Sequence, residues 1–526
     1  MQTGEDIETP SPRSQDLEKT SQDDALTRTQ SLDKQVSLFQ ECLIVALISL
    51  AMFITQNALG QTVALVYIIA EHYNIQNPGV MSWFIAGYSL TVGTFILFSG
   101  RVGDLFGWKR MLVIGYIWFG IWSIVSGLAW YSNHILFIFS RVMAGIGPAI
   151  ALPNGLAMLG ALYKPGKKKN MAFAIFGGCA PGGAVSGFLV AGLFNLVWWP
   201  WAFWFIGLVL FATAAVAHFA IPDPQDHKPG IQGNGISAFV AELDILGATT
   251  GITALILFNF AWNQAPIVGW QDPGVIVTLI LGALLMPAFF YIEVKVSKHP
   301  LLPFEVFTPD NAAVLACVAC GWSCFGIYYF YSWQIIYNIR GVSVLLGAAY
   351  FSPLIIVGFI AAITTGLLLA RLRSAWVMLI AMCAFLTGTI LLVTLPPHQI
   401  YWAQIFVMTV ITPFGMDMSF PAATLIVSDS VDKAHQGTAA SLVNTIVNYS
   451  ISLGLGFAGT VEMYTHHSGR TEEEVLLHTY RSAIYMGLGL ASLGVLLAMT
   501  FVLKSYWQER RDGQANEKID RVDEQQ

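Results

Sequence analysis

"GRVGDLFGWKR", residues 100–110, breaks two long apolar runs with one acid, three cations and three glycines. What it means depends on what flanks it. The chain has 526 residues, 55% hydrophobic and 11% charged, with a mean hydropathy of +0.62. Soluble domains carry about 25% charged residues. Apolar runs of about 20 residues, each enough to cross ~30 Å of hydrocarbon, recur along the sequence. The chain therefore reads as an all-α polytopic membrane protein, since helices satisfy their own backbone hydrogen bonds in lipid. The net charge of −6 says little about partners, because what counts is where the charges sit.

Fourteen segments qualify as spans: roughly 41–66, 79–99, 110–129, 135–158, 171–194, 200–220, 242–262, 274–292, 312–334, 343–370, 376–395, 401–427, 437–462 and 482–503. With the amino terminus inside, all 26 Lys and Arg fall on the cytosolic side except Arg340, Arg470 and Arg481, which fall outside, and Arg141, which lies within span 4. That asymmetry predicts an even number of spans with both termini cytosolic. It does not separate fourteen from twelve, because removing an adjacent pair leaves every side unchanged. Fourteen rests on spans 7 and 8 being apolar enough to insert, and a buried re-entrant hairpin there stays open. The expected organisation is a disordered polar tail over 1–38, a six-helix bundle over 39–220, a linker with two further spans over 221–311, a second six-helix bundle over 312–503 and a charged cytosolic tail over 504–526. The amino-terminal tail lacks an apolar core and does not read as a signal peptide.

The opening stretch then occupies the short cytosolic loop between spans 2 and 3. Gly100, Gly103 and Gly107 permit a tight reversal and close helix approach. Asp104 can face a helix amino terminus, where the macrodipole favours its charge, and Lys109 and Arg110 fix the side. A positively charged turn that only sets topology would explain the cations but not the glycines and the acid. The spacing G-x3-D-x2-G-x-K-R resembles the signature loop of the major facilitator superfamily of secondary transporters. A degraded echo, "GLLLARLRSAW" (366–376), follows span 10, with Ala370 in place of the acid. The resemblance implies a major facilitator fold: spans 9–14 repeat spans 1–6, with spans 7–8 inserted between the bundles.

Three intramembrane stretches stand out as candidates for transport chemistry. Arg141 opens "RVMAGIGPAI" in span 4; an arginine in hydrocarbon costs at least ~2.5 kcal/mol and should face a cavity or a partner, unless it snorkels. Its R-x3-G-x-G spacing resembles the family's span-4 motif for proton coupling, with Ala144 where many members have glutamine. Span 5 carries "FGGCAPGGAVSG" (176–187), in which Gly178, Pro181, Gly182, Gly183 and Gly187 resemble the family's antiporter motif; a generic packing seam of small residues is the other reading. Span 12 carries "TPFGMDMSFPAATL" (412–425). Its Asp417 lies mid-span, and a carboxyl kept from water favours its neutral form, which suits a proton carrier; a structural acid bonded to a neighbouring helix is the alternative. Amides recur at Asn57 and Gln61 in span 1, Gln334 ending span 9, and Asn444 and Asn448 in span 13. They either bond helix to helix or line a polar cavity.

Other signals are weak. Cys317, Cys320 and Cys324 share a helix face without His or acidic partners, so no metal site is expected. His466-His467 is an isolated external pair, the Asn448-Tyr449-Ser450 sequon lies inside a span, and no phosphate loop is present to use ATP. No cofactor, no nucleic acid and no enzymatic activity are expected. "NALGQTVAL" (57–65), "GMDMSFPAATL" (415–425) and "SLVNTIVNYSISLGLG" (441–456) resemble the fungal fourteen-span drug:proton antiporters, and within them the aminotriazole-resistance and low-affinity ammonium transporter group. The resemblance implies proton-coupled efflux of a small organic compound, with a carrier of a small inorganic solute such as ammonium or borate, or a nutrient sensor, as alternatives. It further implies a monomer in the lipid bilayer, of the plasma or vacuolar membrane.

Overall fold

The computed structural model describes residues 37–163, 167–222, 242–302, 306, 308–431, 436–465 and 471–523. Among them are fourteen helices long and apolar enough to cross a membrane: Leu38–His72, Pro78–Phe106, Trp108–Tyr131, His134–Leu162, Met171–Asn195, Pro200–Ala220, Ile245–Val268, Pro273–Lys295, Pro309–Ile339, Val344–Leu369, Ser374–Val393, Ile405–Asp429, Gln436–Tyr464 and Glu472–Trp507. These are spans 1–14. An even number puts both termini on one face, called here the terminal face; the other is the far face.

Local chemistry sets many of the starts. Asn77-Pro78, Asp272-Pro273 and Thr308-Pro309 each place a capping side chain before a proline at the first helical position. There the missing N–H costs nothing and the fixed φ suits the helix. Ser37 caps span 1 by accepting from Gln40 N at 3.3 Å. Several boundaries differ from the sequence expectation. Span 10 is two helices, Val344–Phe351 and Pro353–Leu369, because Pro353 cannot donate into the ladder. Span 14 begins at Glu472, nearly three turns before its expected start at 482, on the far face. Its helix then continues to Asp523, so position 504 is no structural break. Residues 1–36 of the tail expected over 1–38, and His466-His467, lie outside the described residues; Ser37 and Leu38 already belong to the start of span 1.

The packing repeats. Within the first bundle span 1 packs on 5, span 2 on 4, span 3 on 4 and span 3 on 6; within the second, span 9 packs on 13, 10 on 12, 11 on 12 and 11 on 14. Adding eight to each number converts one set into the other. The bundles meet through span 2 on 13 and span 5 on 10, and the same operation exchanges these two interfaces. Spans 7 and 8 pair with each other, and span 7 lies along the seam between spans 2 and 13. Asn263 Nδ2 donates to Ser452 O at 3.2 Å, Ser452 Oγ to Asn259 Oδ1 at 2.8 Å, and Tyr449 Oη to Leu255 O at 3.0 Å. Span 7 thus carries buried polar bonds to span 13, while against span 2 it sets ring on ring, Trp83 with Phe260. Outward faces such as Ile356, Phe359, Ile360, Ile363 and Leu367 of span 10 are exposed and apolar, as a lipid-facing surface requires.

Candidate transport site between the bundles

The opening stretch is a one-residue turn. Gly107 alone separates spans 2 and 3, at φ +102°, in the left-handed region that favours glycine. Asp104, in the last turn of span 2, accepts from the indole of Trp108, the first residue of span 3, at 2.8 Å. Its charge therefore stands at a helix amino terminus, the one immediately following it. Lys109 and Arg110 occupy the first turn of span 3. A Cβ on Gly100 would lie 3.7 Å from Pro153 of span 4 and 3.9 Å from Ser441 Oγ of span 13, so this glycine sits where span 4 and the second bundle converge. Gly103 is filled instead by Asn154, a fully buried amide of span 4 that donates to Ser99 O at 3.3 Å and Ile150 O at 2.7 Å. Sequence reasoning missed Asn154, because nothing in its surroundings marks it apart from other small polar residues.

Arg141 is 1% exposed. Snorkelling would keep its head in water and is excluded. Its guanidinium instead bridges the first bundle: Nη2 donates to Ala58 O of span 1 at 3.1 Å, Nε to Phe84 O of span 2 at 3.4 Å, and the cation lies 4.5 Å from the Tyr88 ring centroid. A planar fork over an aromatic face is how arginine is held without a counter-ion.

The small residues of span 5 serve two interfaces. Gly183 and Gly187 abut the span 1 backbone at Phe53 and Asn57, and Gly60 of span 1 abuts Ala184 O. Gly182 faces the Phe53 ring. Those positions are an interlock inside the first bundle. Pro181 and Gly178 face the other way, onto Gly358 and Phe359 of span 10. A Cβ on Gly358 would stand 2.6 Å from Pro181 Cβ and 3.4 Å from Asp417 Oδ2. Asp417 is half-buried, its Oδ2 enclosed without a hydrogen-bond partner, while its backbone O accepts from Thr365 of span 10 at 3.2 Å. The span-5 motif and the span-12 acid, 236 positions apart in the sequence, thus meet across one glycine.

The amides divide. Asn57 Nδ2 donates to Ser186 Oγ at 2.8 Å, a helix-to-helix bond, but Asn57 Oδ1 and Gln61 Nε2 are buried with no partner. Asn448 Nδ2 donates to Asn444 Oδ1 at 3.1 Å along span 13, and Gln334 Oε1 accepts from Asn338 at 3.3 Å. Next to span 1 lies an aromatic group absent from the sequence reading. Phe188 of span 5 stacks on Trp333 of span 9 with centroids 4.7 Å apart, and also meets Tyr329 at 5.4 Å and Phe351 of span 10 at 5.0 Å. The Tyr329 hydroxyl reaches within 3.0 Å of where a Gly60 Cβ would be; it and Trp333 Nε1 are buried without partners. Buried polar atoms are nearly always satisfied, so these four, on spans 1 and 9, are exceptions.

Toward the far face a second polar network joins the bundles. Tyr67 of span 1 and Tyr480 of span 14 are hydrogen-bonded at 2.8 Å; Asn338 donates to Tyr480 at 2.8 Å; Tyr331 donates to Glu462 at 2.6 Å. Glu462 was hidden in the sequence because it falls at the apparent end of span 13, where an acid reads as interfacial. Cys324 and Cys317 point to Thr389 and Gly494, at 3.0 Å and 3.8 Å, as packing groups.

The sequence model described as the Major Facilitator Superfamily matches residues 42–455. The chain is 47% identical to the low affinity ammonium transporter of Saccharomyces cerevisiae, over 91% of this chain and 92% of that one. It is 42% identical to efflux pump terJ of Aspergillus terreus, over 92% and 93%. A solved peptide transporter, POT, in complex with sulfate, superposes with a TM-score of 0.65 at 14% identity, over 90% of this chain and 96% of that one.

Proposed function

We propose that this chain, which belongs to the major facilitator superfamily, exchanges protons for a small organic compound. That it is a multi-pass membrane transporter and not an enzyme follows from the family and the fourteen spans. The observation that supports the finer reading is the group of orphaned polar atoms, Asn57 Oδ1, Gln61 Nε2, Tyr329 Oη and Trp333 Nε1, beside the aromatic rings between the bundles. Such a surface offers donors, an acceptor and flat apolar faces, which suits a small molecule with both an aromatic or alkyl body and polar edges. Asp417, at the span 5–span 10 contact, is the proton carrier of this reading and Arg141 stiffens the opposite bundle. Rocking about the two exchanged interfaces opens the terminal and far faces in turn. One charge moved through 100 mV is worth about 2.3 kcal/mol, enough to bias that equilibrium. The transporter works as a monomer in the plasma or vacuolar membrane with both termini cytosolic, and exports its substrate.

A second reading has its own support. The ammonium transporter relative, together with aromatic faces able to hold a cation, fits a carrier of ammonium. Purified protein in proteoliposomes separates the two. An imposed pH gradient is expected to drive uphill uptake of an organic solute that also shows counterflow. Accumulation of ammonium, or its analogue methylammonium, with no counterflow of any organic candidate would replace the first reading by the second. Flux with no response to the pH gradient would remove proton exchange from both.

A further inference from the structure

At the terminal-face ends of spans 7 and 8, away from the sites above, two carboxyl groups meet. Asp244, 5% exposed and at φ +44°, precedes span 7, and its Oδ1 accepts from Gly247 N at 3.2 Å. Glu293, 4% exposed, lies two residues before the end of span 8, and its Oε2 accepts from Leu302 N at 3.3 Å, tying back the following loop. Each group thus uses one oxygen on a backbone N–H. Each turns the other, Asp244 Oδ2 and Glu293 Oε1, into buried space where it has no partner. Both converge on Gly247, where a Cβ would stand 2.8 Å from Glu293 Oε1 and closer still to the Asp244 carboxyl.

Among the described residues, the charged groups around this pair are accounted for. Glu242 takes Arg101 of span 2, whose Nε donates to its carbonyl at 3.0 Å and whose Nη2 lies 3.8 Å from its Oε2; His299, after span 8, lies 3.9 Å from its Oε1. Lys295, at the end of span 8, is exposed. No cation among them reaches between Asp244 and Glu293. Two bare carboxylates enclosed together repel, and like groups in one site resolve this by keeping a proton between them.

We propose that Asp244 and Glu293 are a proton-binding pair, holding one shared proton as an O–H···O⁻ bond that clasps the base of the span 7–8 hairpin. Release of that proton leaves two negative charges in one enclosed space and pushes residues 242–244 away from span 8. Glu242, two residues from Asp244, carries that displacement to Arg101, which belongs to the 100–110 stretch. The site is independent of Asp417 and of the substrate, and stands whichever solute is carried.

The test uses the full-length protein in lipid nanodiscs, with the thermal midpoint followed between about pH 5 and about pH 9, where carboxyl pairs titrate. Choline is the only added cation. A proton that bonds the folded pair together is, by linkage, bound more tightly there than in the unfolded chain. Its contribution is therefore present at low pH and lost as pH rises. Asp244→Asn and Glu293→Gln each supply a permanent donor and leave a single charge, so the difference between wild type and variant is expected to appear only at high pH, in the variant's favour. Glu293→Ala, which removes the bond, is expected to be less stable than Glu293→Gln throughout. A Glu293→Gln profile parallel to wild type overturns the proposal. So does recovery of wild-type stability at high pH on adding sodium, ammonium, magnesium or calcium chloride, which would put a small cation where the proton is placed.

Discussion

Tyr67 of span 1 and Tyr480 of span 14 share a hydrogen bond of 2.8 Å across the far-face ends of the two bundles. Asn338 donates to the same Tyr480 hydroxyl, and the Tyr67 ring stacks on Tyr337 at 5.8 Å. The bundles are therefore fastened on the far side. Removing one hydroxyl costs a typical net bond of about 1 kcal/mol, a several-fold change in a two-state equilibrium. Tyr67→Phe is expected to raise labelling of a cysteine placed at Gln334 by an impermeant reagent several-fold, measured against the same cysteine with Tyr67 intact. Equal labelling would show that the bond does not hold the face closed.

Asp417→Asn mimics a permanently protonated carboxyl. Uphill transport driven by a pH gradient is expected to be lost, while solute exchange without a gradient partly survives, because the amides of spans 1 and 13 remain. A purely structural acid predicts the reverse pattern: less protein, with the surviving molecules still driven by the gradient. Both rates are to be normalised to protein amount.

The Gly358–Pro181 contact leaves no room for a methyl group. Gly358→Ala is expected to wedge spans 5 and 10 apart at a cost of roughly 1–3 kcal/mol, and to slow transport. Gly366→Ala in the same helix, where a Cβ meets nothing within 4 Å, is the control and is expected to transport normally. Equal rates for the two variants would make the contact irrelevant to the cycle.

Arg141→Lys keeps the charge but cannot reproduce the fork on Ala58 O and Phe84 O or the flat contact with Tyr88. Transport is expected to fall at least tenfold at unchanged abundance, equivalent to about 1.4 kcal/mol. Retention of wild-type rates would reduce Arg141 to a replaceable cation.

The turn between spans 7 and 8 is only Gly269–Asp272. With both termini cytosolic, Gln271→Cys is expected to be labelled from outside intact cells by an impermeant reagent, and tags at both termini not to be reached. A Gln271→Cys that labels only after permeabilisation would reverse the orientation of that hairpin.

The membrane class, the fourteen spans and the glycine turn at 107 were legible in the sequence, because they depend on local quantities: run length, hydropathy, a capping side chain before proline, a φ that favours glycine. The repeat was legible too, though only faintly through Gly366, Arg371 and Arg373; in the fold it is plain, since adding eight to each span number converts the pairs 1–5, 2–4, 3–4 and 3–6 into 9–13, 10–12, 11–12 and 11–14. Arg141 and Asp417 stood out as charges in hydrocarbon, and the span-5 glycines and proline by their resemblance to a family motif. What the sequence did not decide is what each of them faces. A helix presents every side in turn, so Gly183 and Gly187 look like Gly178 and Pro181 until packing sends the first two to span 1 and the others to span 10. Asn154, Phe188, Trp333 and Glu462 carry no local signal, because a buried amide, a ring or an acid near a helix end is common in any span. Asp244 and Glu293 read as ordinary helix-end acids until the hairpin closes and leaves each with one buried oxygen, without a partner, beside Gly247.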